Sequence, residues 1–185
     1  MGLSPAQIQK AADLRHGLLR AAAQIILGAG VQALTLEGVA KQAGTSKGGL
    51  LHHFVSKTDL LNALLEDLIA SFETDLRRHA DSDPEPRGRQ IRAYINAAAG
   101  SSADESRLGI AALTALLFDA AATQRWNAVT NQWFEQDVGG TDPVHCHILR
   151  LAADGLWLSE AFGMVSIDAD QRAAAVRCLL DMTRS

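Results

Sequence analysis

The alternation of apolar and polar residues along the chain predicts a succession of amphipathic helices. The first begins at Ser4-Pro5, because serine is a good N-cap and proline is favoured at the first helical position. Apolar residues then recur at helical spacing from 14 to 26. Gly28 and Gly30 follow this stripe and are predicted to end the helix.

Two short helices are predicted next from their capping residues. Thr35 and Ser46 are good N-caps, and each precedes a short run that contains apolar residues. Gly44 lies between the runs and can adopt the positive φ of a tight turn. The pattern therefore predicts helices over residues 36–43 and 47–54, joined by about three residues.

The rest of the chain also carries helical patterns. Ser56 caps a fourth helix whose apolar stripe continues over residues 61–76, for about five turns. Beyond a loop at 81–88, which contains two prolines, further helices are predicted near residues 87–99, 105–121, 123–137, 143–163 and 168–183, with a weak break near Ala122. Aromatic residues are only 5% of the chain and β-branched residues are sparse. We therefore expect an all-α protein of about nine helices.

The composition is that of a globular protein. The 185 residues are 48% hydrophobic with a net charge of -4, whereas a disordered chain has low hydrophobicity and high net charge. No apolar run approaches the about 18 residues of a membrane span, and the N-terminus lacks the apolar segment of a signal peptide. Cys146 and Cys178 have neither disulfide-framework nor zinc-site spacing. We expect a cytoplasmic protein with no membrane partner, no metal and no cofactor.

Charge is divided unevenly along the chain. Residues 1–57 hold six basic and two acidic side chains, a net charge of +4, which leaves -8 for residues 58–185. Such asymmetry suggests that the basic end binds a polyanion, although a chance distribution is the alternative.

The two short helices in this basic part have the pattern of a helix-turn-helix, whose second helix enters the DNA major groove. Hydroxyls at Thr45 and Ser46 can donate to phosphates or bases, and Lys47 can neutralise a phosphate. Gly48 and Gly49 permit close backbone approach, although each glycine in a helix costs roughly 1 kcal/mol relative to alanine. The two glycines therefore serve something other than helix stability.

In combination, these residues resemble the TetR family of bacterial transcriptional regulators. The resemblance runs from about Arg15 to Leu65, and the later helices match the family only in number, length and helicity. It implies an N-terminal three-helix DNA-binding domain, residues 1–57, and a C-terminal helical effector-binding and dimerisation domain, residues 58–185. The residues that carry it are Gly30, Thr35, Val39, Ala40, Ala43, Gly44, Ser46, Lys47, Gly48, His53, Phe54, Lys57, Leu60 and Leu61.

The expected partner of the helix-turn-helix is double-stranded operator DNA. Leu51 and His52 stand where the family often has tyrosines, and Gly49 stands where it often has a small hydroxyl residue. His52 can replace a tyrosine phosphate contact through a ring nitrogen, and Leu51 can touch a thymine methyl. The candidate DNA contacts are Thr35, Thr45, Ser46, Lys47, Gly48, Gly49, Leu51, His52 and Lys57.

Two histidine clusters invite a metal interpretation. His52-His53 and His145-Cys146-His147 are adjacent or two apart, so on a helix their side chains point in different directions and chelate poorly. We expect packing, capping or a place on a dimer face, and no metal site.

Apolar stripes near the C-terminus predict a homodimer. The penultimate helix has one stripe spaced by three and four residues and a second beside it (Leu149, Ala152, Leu156 and Ser159), so more than one face is apolar. The family pairs its last two helices with those of a second copy. A monomer with a thick core is the alternative. The candidate interface residues are Val144, Ile148, Leu151, Gly155, Leu158, Phe162, Val176 and Leu180.

Aromatic residues of the C-terminal part are candidates for an effector pocket, because ligand sites are mostly apolar with a few polar groups. Ordinary core packing is the alternative. The candidates are Phe72, Tyr94, Leu113, Phe118, Trp126, Thr130, Trp133 and Trp157.

The sequence thus predicts a DNA-binding repressor that binds a near-palindromic operator as a dimer and is released by a small apolar effector. The chain shows no paired carboxylates, nucleophile elbow, phosphate loop or metal cluster, so catalysis is not expected. The alternative is a helical small-molecule-binding protein or enzyme that uses a C-terminal cavity without sequence-specific DNA binding.

Overall fold

The computed structural model describes residues 4–100, 109, 111–113, 120–135, 142–162, 164 and 167–184, and all regular structure in these residues is helical. The predicted all-α class is confirmed. The helices are α1 (Pro5–Ala29), α2 (Leu36–Gln42), α3 (Lys47–Leu51), α4 (Lys57–Ser82), α5 (Arg89–Gly100), α6 (Ala120–Glu135), α7 (Pro143–Phe162) and α8 (Ala169–Met182), with a 3-10 helix at Val31–Ala33. Within the described residues, no helix is both long and apolar enough to cross a bilayer.

The predicted N-caps are confirmed by hydrogen bonds that satisfy otherwise unpaired helical N–H groups. Ser4 forms a full capping box with Gln7. The Thr35 hydroxyl accepts from the Gly38 N–H at 3.0 Å, and Ser46 and Ser56 do the same for the third residue of their helices. Local side-chain chemistry therefore sets where four of the helices begin.

Two predicted boundaries were wrong. Helix α6 begins at Ala120, three residues before the predicted start at 123, and continues to Glu135, so no break occurs at Ala122; alanine is the best helix former, and this segment contains neither glycine nor proline. Helix α3 ends at Leu51 instead of residue 54, and a turn follows in which the His53 N–H donates to the Leu50 carbonyl at 2.8 Å. Most of the helix predicted at 105–121 lies outside the described residues.

The structure divides into two compact units, the first formed by residues 1–68 and 107–123 and the second by 69–106 and 124–185. In the first unit, α1, α2, α3 and the beginning of α4 enclose a core of fully buried leucines and small residues, to which Ala111 and Ala112 also belong. The Arg15 guanidinium lies 5.6 Å from the Phe54 ring centroid and 3.1 Å from the Asp67 carboxylate. This contact joins α1, the turn after α3, and α4.

In the second unit, α5 packs against α7 and α8. Its buried face carries Ile91, Tyr94 and Ile95, and the core also contains Leu76 and Leu149.

Polar contacts lie beside this second core. The Tyr94 hydroxyl donates to the Asp154 carboxylate at 2.6 Å, and Arg172 of α8 contacts Glu160 of α7 and the Ala99 carbonyl at the end of α5. Burial, with the negative charge of Asp154, raises the pKa of Tyr94, so the phenol stays protonated. These contacts fix α5 between the last two helices.

Candidate nucleic-acid interface and ligand cleft

Helices α2 and α3 form a tight helix-turn-helix. Gly44 has φ of +68°, a conformation that side chains with a Cβ rarely adopt, and the Thr45 N–H donates to the Ala40 carbonyl at 2.9 Å. Val39 and Leu50 are completely buried and hold the two helices on the core. The turn therefore fixes α3 against α2 and presents its opposite side to solvent.

The beginning of α3 is polar and exposed. Lys47 and Gly48 are exposed, Thr45 is half-buried, and the exposed Ser46 uses its oxygen as the helix cap. Because a hydroxyl that accepts a hydrogen bond can still donate its own proton, Ser46 remains able to bind a phosphate oxygen. Thr35, exposed at the start of α2, has the same arrangement.

Among the remaining candidate contacts, Leu51 is 39% exposed and His52 is exposed, so both are available to a partner. Lys57 is half-buried, and its Nζ donates to the Val31 carbonyl at 2.6 Å. Its ammonium therefore has a structural partner, although it retains two further protons for a phosphate. Lys47 is consequently the better probe of DNA contact.

The two glycines of α3 have different environments. A Cβ added at Gly49 would lie 2.7 Å from the Thr45 hydroxyl oxygen, so the neighbouring threonine would have to move. A Cβ added at Gly48 would meet only the Ser46 hydroxyl, at 3.9 Å, among the described atoms. Steric contact within the fold therefore explains why residue 49 is glycine, but it does not explain why residue 48 is glycine.

Gly48→Ala is expected to stabilise the fold and to weaken operator binding. Alanine in a helix is favoured over glycine by up to about 1 kcal/mol, and the site has room for a methyl group. If the DNA backbone approaches this surface, the same methyl should reduce operator affinity roughly tenfold, as measured by fluorescence anisotropy. Gly17→Ala in α1, also sterically open, is the matched control and should leave affinity unchanged. Wild-type affinity in Gly48→Ala would disprove close approach at this residue.

Several predicted effector residues pack against one another. The Phe72 ring lies 5.4 Å from that of Tyr94, in an edge-on arrangement, and 5.7 Å from that of Trp126. Thr130 is buried, and its hydroxyl donates to carbonyls of its own helix. Trp157 and Leu113 are half-buried, and Phe118 lies outside the described residues.

Trp133 instead lines a cleft of about 380 Å³ in the second unit, between α4, α5 and α6. Polar and charged side chains from residues far apart in sequence surround this cleft. Gln132 is a possible polar contact of the effector from the sequence, equally explicable as a surface residue, and the other polar and charged lining residues were not candidates. Helical periodicity marks them as ordinary surface positions, so no sequence signal distinguished them. The lining residues are Glu73, Leu76, Arg77, Ala80, Asp81, Arg89, Gln90, Val129, Gln132 and Trp133.

The predicted dimer stripe of α7 lies on the surface. Val144 is 64% exposed and Leu151 is 70% exposed, and Ile148, Gly155, Leu158 and Phe162 are also exposed. The two candidates of α8 differ, because Val176 and Leu180 are half-buried against the core of their own unit. The apolar stripe of α7 is thus left uncovered by the rest of its own unit.

The second histidine cluster has a structural contact. The His145 Nε2 lies 2.8 Å from the Met182 carbonyl oxygen at the end of α8, to which it can donate. Among the described residues, no group of three or more His, Cys, Asp or Glu side chains is placed to hold a metal ion.

An exposed helix-turn-helix followed by a helical unit with its own core defines a helix-turn-helix transcriptional regulator. Residues 18–64 match the model of the tetR family of bacterial regulatory proteins, and residues 88–184, just over half of the chain, match that of the tetracyclin repressor-like C-terminal domain. The chain belongs to the TetR family. It is accordingly a DNA-binding transcriptional regulator and not an enzyme.

Curated relatives and solved structures agree with this assignment. The HTH-type transcriptional regulator BetI of Stenotrophomonas maltophilia is 34% identical over 109 residues, which are 58% of this chain and 54% of that protein. BetI 1 of Chromohalobacter salexigens is 28% identical over 85% of this chain and 83% of its own length. A putative TetR-family regulator from Rhodococcus sp. has the same fold, with a TM-score of 0.70 at 20% identity over 93% of this chain and 97% of its own.

NalD of Pseudomonas aeruginosa, the secondary repressor of the MexAB-OprM multidrug efflux pump, also shares the fold. Its TM-score is 0.65 at 22% identity, over 95% of this chain and 96% of that chain.

Proposed function

We propose that the protein is a homodimeric repressor that binds a near-palindromic operator and is released by a small effector. In this proposal residues 1–57 bind double-stranded DNA, and residues 58–185 bind the effector and form the dimer. The repressor role of a fold neighbour, NalD, is consistent with this assignment.

The observation that carries the proposal is that the chain has both an exposed polar surface at the beginning of α3 and an exposed apolar stripe on α7. A dimer would cover the α7 stripe and hold two copies of α3 in successive major grooves, about 34 Å apart. Large exposed apolar surfaces on a soluble protein mark interaction sites, and a two-fold symmetric contact is the commonest solution.

Helix α4 provides the connection between effector and DNA. It begins six residues after α3 ends and is helical without interruption from Lys57 to Ser82, contributing to the cores of both units. An effector that binds the second unit better in one conformation of α4 would change operator affinity by a coupling of roughly 1–3 kcal/mol.

Operator binding by Lys47→Ala at several salt concentrations tests the proposal. Wild-type protein should bind the DNA upstream of its own gene selectively, with an affinity that falls steeply with salt. Loss of one phosphate contact per protomer should weaken binding to every sequence and reduce the log–log salt slope by about 0.9 per lysine, or about 1.8 per dimer. Weak wild-type binding without sequence preference would contradict the proposal.

The matched control is Arg78→Ala, which removes one positive charge from an exposed residue of α4 in the second unit. It should leave the salt slope unchanged. An equal loss in both variants would mean that net charge, rather than a contact of Lys47, sets the affinity.

A further inference from the structure

The cleft of the second unit combines an apolar side with a charged side. Leu76 is completely buried, and together with Val129 and Trp133 it supplies the apolar side. The Trp133 indole N–H donates to the Gln90 carbonyl at 3.1 Å, which holds the ring in place. The volume of about 380 Å³ lies at the lower end of the range for small-molecule sites.

Arg89 is the unusual member of the lining. Its Nε is buried, and no hydrogen-bond partner for this atom occurs in the described part of the chain, although the charge of Arg89 acts on the nearby Asp83 carboxylate and helps to lower its pKa. Leaving a buried donor unpaired is costly, and such a group requires an explanation. In contrast, the Arg77 guanidinium donates to the Glu73 carboxylate at 2.8 Å, so that pair neutralises itself.

The surrounding loop fixes the position of Arg89. Arg89 is the first residue of α5 and follows Gly88, whose φ is +70°. Arg92 holds the loop before it through the Asp83 carboxylate at 2.7 Å and two loop carbonyls. These contacts hold the backbone at Arg89 in place. The Arg89 guanidinium is therefore suited to bind a planar anion, because guanidinium N–H groups match the two oxygens of a carboxylate.

We infer that this cleft binds a small amphipathic carboxylate. Arg89 binds the carboxylate group of this ligand, and the apolar part of the ligand packs against the side of the cleft that contains Trp133. At the rim, the exposed Asp81 carboxylate and the Gln132 amide can accept a hydrogen bond from a hydroxyl group of the ligand. The assignment of this ligand as the effector rests on the proposed function above. The inferred ligand differs from the sequence prediction of an apolar effector held among aromatic residues, because Phe72 packs against Tyr94 and Trp126, and Trp133 is the one described aromatic candidate that lines the cleft.

Direct binding tests the site without reference to DNA. Isothermal titration of the full-length protein with benzoate, 4-hydroxybenzoate and hexanoate should detect at least one acid, while benzamide, which lacks the charge, should bind at least tenfold more weakly. Arg89→Gln should weaken binding of that acid at least tenfold. Arg87→Gln, an exposed arginine two residues earlier that does not line the cleft, should bind like wild type.

Three results would overturn the inference: no acid binds at millimolar concentration, benzamide binds as well as benzoate, or Arg89→Gln keeps wild-type affinity. Operator binding is measured separately on the same variants. Arg89→Gln should bind operator like wild type but no longer release it when the acid is added. If the acid binds at Arg89 and the operator is not released, the effector role fails while the site stands. Absence of operator binding by the wild-type protein would contradict the proposed function alone.

Discussion

Leu151→Glu is expected to convert the protein to a monomer and to reduce operator affinity at least 100-fold, or about 2.7 kcal/mol. Leu151 is 70% exposed in one chain and lies in the middle of the α7 stripe. In a two-fold symmetric interface each copy would bury its own glutamate against apolar side chains, and an unpaired buried carboxylate costs several kcal/mol. A monomer would contact one half-site only, which accounts for the loss of affinity.

The mass of the protein in solution and its operator affinity are the two measurements. Because Leu151 is exposed in the single chain, the helical circular dichroism of the variant should match that of the wild type. Ala128→Glu, a change of the same charge on the exposed face of α6, should remain dimeric. A dimeric Leu151→Glu with wild-type affinity would remove the α7 stripe from the interface.

The reliable part of the sequence prediction was local. Ser4, Thr35, Ser46 and Ser56 each cap the helix assigned to them, because an N-cap depends on a side chain and an N–H two or three residues away. The helix-turn-helix was predictable for the same reason, since Gly44 and the flanking caps all lie within about ten residues. The position of the break at Ala122 was wrong because this residue lies inside a segment, Ala120 to Glu135, that contains no helix-breaking glycine or proline.

Sites built from distant residues could not be predicted in this way. The described aromatic candidates lie on four different helices, and periodicity within a helix does not distinguish a ring that lines a cavity from one that fills it. Phe72 and Trp126 pack face to face, whereas the cleft lies among polar residues of α4, α5 and α6 that resemble ordinary surface. The sequence signal of a site is weak when its members are polar and distributed over three helices.

The contacts of Arg92 are a second feature that could not be predicted from helical periodicity. Its side chain is only 4% exposed, although arginine is almost never buried without a partner. Its guanidinium donates to the Asp83 carboxylate at 2.7 Å, to the Arg87 carbonyl at 2.8 Å and to the Glu85 carbonyl at 2.7 Å. These hydrogen bonds replace those to water that the guanidinium loses on burial, and they hold the loop between α4 and α5 in place.

Arg92→Ala is therefore expected to destabilise the second unit by about 3–5 kcal/mol, the usual cost of breaking a buried ion pair. Two loop carbonyls and the Asp83 carboxylate would lose their donor together. Urea unfolding followed by tryptophan fluorescence measures this, because Trp126, Trp133 and Trp157, the three tryptophans of the chain, all belong to the second unit. Arg87→Ala, which removes an exposed side chain and keeps the carbonyl, should cost less than about 0.5 kcal/mol.

The pH dependence of stability shows whether Arg92→Ala destabilises the protein through loss of the ion pair or through loss of packing alone. Burial alone would raise the pKa of Asp83, but the hydrogen bond from Arg92, a backbone N–H and the nearby positive charges outweigh it and lower the pKa. The ionised carboxylate thus stabilises the fold at neutral pH, and this contribution is lost as the pH falls through the lowered pKa. Wild-type stability should therefore drop below about pH 4, whereas Arg92→Ala should start lower and lose less between pH 7 and pH 3. If the two proteins lose equal stability over that range, Arg92 acts through packing and not through its charge.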